Sequence, residues 1–91
     1  MKIEIFDYSL RNNKLEVFVK SKGLVSSEQT YRTYWLLNED GLVIRNINNP
    51  TSLNDTEYER LLLQELTDST KVEKEDRDKI LEAATLRALN L

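Results

Sequence analysis

The sequence contains no cysteine and no histidine. Without cysteine, disulfides, zinc–thiolate sites and thiol nucleophiles are excluded, and nothing marks an oxidising compartment. Without histidine the commonest general base is missing, so a serine or threonine nucleophile would need a lysine or carboxylate to activate it. Glycine is nearly as scarce, occurring only at Gly23 and Gly41. Those positions allow no Walker loop, dinucleotide fingerprint or nucleophile elbow to be written. No run approaches the ~18 consecutive apolar residues of a transmembrane helix. The start, with Glu4 and Asp7 among its first residues, lacks the apolar stretch of a signal peptide. These absences predict a cytoplasmic protein with no membrane association, no cofactor and no enzymatic activity.

What is present is globular composition. The 91 residues are 40% hydrophobic and 32% charged, with the large apolar side chains spread along the whole length, unlike a disordered chain. That length fits one domain, residues 1–91, which buries roughly 60 to 65% of its unfolded surface. The net charge of −3 is unevenly placed. Residues 1–50 carry seven Lys/Arg against six Asp/Glu, whereas residues 51–91 carry six against ten. Such a balance argues against binding double-stranded DNA, which needs a basic surface that releases counterions. The abundance of Asn and Lys, with few Gly and Ala, fits an AT-rich genome such as those of many phages and low-GC bacteria.

Periodicity divides the chain at its middle. Ile3 and Ile5 alternate with Lys2 and Glu4, and Leu15, Val17 and Val19 alternate with Glu16, Phe18 and Lys20. A period of two predicts half-buried strands. Between them Asn12-Asn13, a residue type that tolerates positive φ, predicts a tight hairpin turn. Ser21 to Gln29 reads as a loop, Thr30 to Leu37 as a third strand, and Leu42 to Ile47 as a fourth after the turn Asn38-Glu39-Asp40-Gly41. Pro50 and its neighbouring asparagines mark the passage from sheet to helix.

A first helix should start at Asn54 as N-cap, with Glu57 completing a capping box, Leu53 and Tyr58 as a hydrophobic staple, and one apolar stripe of Tyr58, Leu61, Leu62 and Leu66. A second is expected from about Glu73 to Leu89, with acidic residues in its first turn and Glu73–Arg77 and Glu75–Lys79 as ion pairs. Its apolar residues Ile80, Leu81, Ala84, Leu86, Ala88, Leu89 and Leu91 lie almost all round. The predicted fold is therefore α+β: a four-stranded antiparallel sheet of two consecutive hairpins (residues 1–48), followed by a two-helix hairpin (residues 53–91) packed on one face.

Functional chemistry has few places to reside. Asp68, Glu73, Glu75, Asp76 and Asp78 are dense, but their spacing fails the EF-hand pattern and reads as a solvated helix start, so no metal is expected. Trp35 reads as a core anchor. If Ile3, Ile5, Leu15, Val17 and Val19 face the helices, then Phe6, Tyr8, Phe18 and Tyr34 face the other way among Glu4, Glu16, Lys20, Arg32 and Arg45. Aromatic rings among charges on a face normally left to water are either ordinary cross-strand pairs that stabilise an exposed sheet or a contact surface. The function expected first is a small non-enzymatic protein-binding module, an inhibitor or regulator that occludes a surface of a larger protein through the aromatic sheet face or the acidic helical half, with Phe6, Tyr8, Phe18, Lys20, Arg32 and Tyr34 as its contact residues. A second expectation is a homo-oligomer, as small as a homodimer, with Leu86, Leu89 and Leu91 of the last helix as self-contact. A third is single-stranded nucleic-acid binding by stacking bases on the aromatic face.

Overall fold

A computed structural model describes residues 3–21 and 29–89. Four strands, β1 (Ile3–Arg11), β2 (Lys14–Ser21), β3 (Gln29–Asn38) and β4 (Gly41–Asn46), form one antiparallel sheet in the order β1-β2-β3-β4. Two helices follow, α1 (Asp55–Asp68) and α2 (Lys74–Leu89). The α+β meander with a helical layer is thus the architecture observed. Of the loop expected from Ser21 to Gln29, its two ends are strand, closing β2 and opening β3, and 22–28 lie outside the described residues, as does Leu91.

Local chemistry accounts for both described turns. Asn12 and Asn13 have φ of 53° and 61°, the pair of left-handed residues that a two-residue turn matched to strand twist requires. At the second turn the Asn38 side chain accepts the Asp40 N–H at 2.8 Å, and Gly41 follows at φ 111°. A Cβ at Gly41 would collide with the Ala83 carbonyl oxygen and would lie 2.6 Å from the Arg87 backbone nitrogen. Glycine therefore serves twice here, allowing the turn and letting α2 cross the start of β4 at backbone distance.

Asn54 caps α1 by accepting the Glu57 N–H at 2.9 Å, as the capping-box spacing predicts. Arg77 does not close on Glu73 but donates from Nη2 to the carbonyls of Ser69 and Val72, tying down the link between the helices. One face of the sheet meets this layer. Leu15, Val17, Val19, Trp35 and Leu42 pack there with Tyr58, Leu62 and Leu66 of α1, Val72 of the link, and Ile80 and Ala83 of α2.

Two bulges break the alternation. Ile5 pairs with Val19 but Asp7 with Phe18, so Phe6 is an extra residue in β1. Arg45 is likewise extra in β4, between Ile44 opposite Trp35 and Asn46 opposite Tyr34. The first bulge overturns one expectation. Beyond it the strand's odd and even positions exchange faces, and Tyr8, opposite Val17, belongs to the helix side of the sheet instead of the open side.

Candidate interaction face

The face of the sheet away from the helices gathers five of the six residues expected to bind a partner: Phe6, Phe18, Lys20, Arg32 and Tyr34. They fall into two clusters. Toward β1, the Phe6 and Phe18 rings lie 6.3 Å apart at 51°, a tilted pair within the favourable aromatic range. The Lys20 ammonium stands 4.8 Å from the Phe6 centroid. Phe6 keeps 39% of its surface exposed, because the bulge pushes it out of the pleat.

The second cluster surrounds Tyr34. Lys14 Nζ and Arg32 Cζ lie 4.5 and 4.6 Å from its ring centroid, within cation–π distance. Glu16, directly opposite Tyr34 across the strands, accepts from Arg32 Nε at 2.6 Å and sits 3.9 Å from Lys14 Nζ. Phe18 is directly opposite Arg32, so the two clusters adjoin. Lys14, the first residue of β2, is not among the residues expected on this face. Its place in the series Lys14, Glu16, Phe18, Lys20, every second residue of β2, was the signal.

Tyr8 serves the fold. Its hydroxyl donates to Asp76 Oδ2 at 2.8 Å and accepts the Glu73 N–H at 3.0 Å, capping the start of α2. Burial raises its pKa, the Glu73 hydrogen bond opposes that, and the Asp76 carboxylate reinforces it. Asp76, one of the dense acidic residues, is thereby bound to the sheet, and among the described residues no group of three Asp or Glu gathers in metal-binding geometry.

A second polar centre lies inside the helical side, and sequence reasoning did not find it. Glu59, only 7% exposed, accepts from Trp35 Nε1 at 2.8 Å and from both terminal nitrogens of Arg87 at 2.8 Å. The pairing raises the Arg87 pKa further. One carboxylate thus joins β3, α1 and α2. The available signal was that Glu59 shares a helical face with Leu62 and Leu66, three and seven residues on. This centre floors a cleft of about 370 Å³ between α1 and α2, with Leu63, Ala84 and Ala88 on its walls.

On α2 the buried residues are Ile80 and Ala83. Leu86 is half-buried beside the hairpin tips, lining a cleft with Asn13 and Leu37. Leu89 is 76% and Leu81 47% exposed. Of the expected self-contact residues, Leu86 is thus half-buried and Leu89 exposed, and with Leu81 the latter carries the large exposed apolar side chains of α2. No helix among the described residues is long and apolar enough to cross a membrane. Comparison with protein-family models, curated proteins and solved structures gives no match for this chain.

Proposed function

We propose that this chain is a small non-enzymatic protein-binding module, an inhibitor or regulator that acts in the cytoplasm by covering a surface of a larger protein with its open sheet face. One observation carries the reading: Phe6, Phe18 and Tyr34 stand on a face that no part of the described chain covers, interleaved with Lys14, Lys20 and Arg32. Aromatic and Arg side chains are the types enriched at the energetic centres of protein interfaces. Two groups with acid–base capacity are tied into the fold, Glu59 by Trp35 and Arg87, and Tyr8 by Asp76 and Glu73.

The test is capture of the partner from the source cell, followed by titration of the purified pair. Phe6→Ser/Phe18→Ser should abolish binding while leaving the circular dichroism spectrum unchanged, and Leu81→Ser on α2 should leave affinity intact. Undiminished affinity in the double variant would remove the sheet face from the proposal. A second reading, self-association through α2, is favoured by the exposed Leu81 and Leu89.

A further inference from the structure

The Tyr34 cluster is short of one negative charge. Lys14 and Arg32 share a single carboxylate, Glu16, and Arg32 reaches it through Nε alone. Among the described residues the two terminal nitrogens of Arg32 take no hydrogen bond, while 37% of its side chain remains exposed. The guanidinium lies against the Tyr34 ring, which limits its freedom and leaves donors presented in a fixed plane. A planar fork of N–H groups held in place is the geometry that accepts a carboxylate by two parallel hydrogen bonds.

The neighbour of that fork is apolar. Phe18 stands directly opposite Arg32 in the β2–β3 ladder, so the two side chains start roughly 5 Å apart. Phe6 widens the apolar surface on the far side. A ligand that satisfies both must carry an acidic group and an apolar group within about one side chain of each other. Adjacent or next-nearest residues of a peptide meet that condition, as do residues three or four apart on a helix.

We infer that the open sheet face is a recognition site for an acidic protein segment, in which an Asp or Glu carboxylate pairs with the Arg32 terminal nitrogens and a nearby apolar side chain lodges on Phe6 and Phe18. The inference rests on the protein-binding reading above and adds the chemistry of the partner. Complementary charge is its basis: the incoming carboxylate turns Lys14–Glu16–Arg32 into a neutral alternating set. A nucleic acid would also bring negative charge, but its repeating phosphates would meet Glu16 at the centre of the face and Asp7 opposite Phe18. A peptide places its charge only where it is matched.

The experiment is selection of random peptides displayed on phage against the full chain, followed by titration of the recovered peptides. Wild type would be compared with Arg32→Ala, Arg32→Lys and Phe18→Ser, each checked for fold by circular dichroism. Recovered peptides should place Asp or Glu close to an apolar residue. Changing that acid to its amide, or Arg32→Ala, should weaken binding about tenfold, the loss expected for one charge-assisted pair. Arg32→Lys should recover part of it, and added salt should weaken the wild-type complex. Peptides that depend on Phe18 yet carry no acid would overturn the carboxylate site and leave protein binding standing. Binding indifferent to every one of these residues would overturn both. So would an oligouridylate that binds more tightly than any peptide and is released by Phe18→Ser.

Discussion

Single residues in this fold are constrained by what surrounds them more than by their own preferences. Gly41 combines a positive φ with the closest approach of α2 to the sheet. An alanine there would be strained in its backbone and would have to push a helix backbone aside. Gly41→Ala should therefore lower stability by about 3 kcal/mol or more, well beyond the ~1 kcal/mol usual for an unsuited residue in a turn, and urea unfolding would measure it. Tyr58 presents the converse case. Among the described residues its hydroxyl is buried without a partner, and burial pushes its pKa from 10.0 up to about 12. Both folded and unfolded chains hold this proton below pH 10, so stability is unaffected there. Between pH 10 and about 12 the unfolded chain releases the proton more readily, and stability falls as pH rises. Tyr58→Phe should remove this contribution to the alkaline slope in denaturant titrations and be neutral or stabilising at pH 7, since it deletes an unsatisfied polar atom.

At the level of elements, the strands and their turns were legible because their chemistry is local. Two asparagines fix the first turn, Asn38 and Gly41 the second, and the alternation of Leu15, Val17 and Val19 selects the face of β2 that is buried. The side on which Tyr8 lies was not legible. A bulge adds one residue with no composition of its own, and Phe6 looks like any other strand residue until its pairing is known. The inner side of α2 was hidden for a different reason: its apolar residues surround the axis, and the selection of Ile80 and Ala83 comes from Gly41 and from Arg87. Charge misled in the same way at Glu59, which belongs to the buried side of α1 because Trp35 and Arg87 satisfy it. Removing one partner leaves the others buried and unpaired. Glu59→Ala should cost about 3 kcal/mol, at the lower end for a buried pair because Arg87 keeps 31% of its side chain exposed. Glu59→Leu/Arg87→Met should recover much of that loss, and a double-mutant cycle by chemical denaturation should give a coupling energy above ~1 kcal/mol. Additive losses would mean that the three elements are held by their apolar contacts alone.

The whole molecule presents two unlike surfaces, and their difference decides how copies of the chain should behave together. Face-to-face pairing of two open sheets would bring Lys14 and Arg32 of one copy toward the same residues of the other, with only one Glu16 per copy to offset them. An isologous contact repeats every like-charge encounter twice, which disfavours a dimer through this face. Light scattering on the purified chain should accordingly give one and the same mass for wild type and for Phe6→Ser/Phe18→Ser, with an unchanged fold: 10.7 kDa if the chain is a monomer, a multiple of it if α2 self-associates. A wild-type dimer that becomes monomeric on Leu81→Glu/Leu89→Glu would assign self-association to α2 and leave the sheet face available to a foreign partner. A wild-type dimer that only the Phe6/Phe18 variant dissociates would place a second copy on the sheet face. The acidic-segment proposal would then fail, because its site would already be occupied by the chain itself.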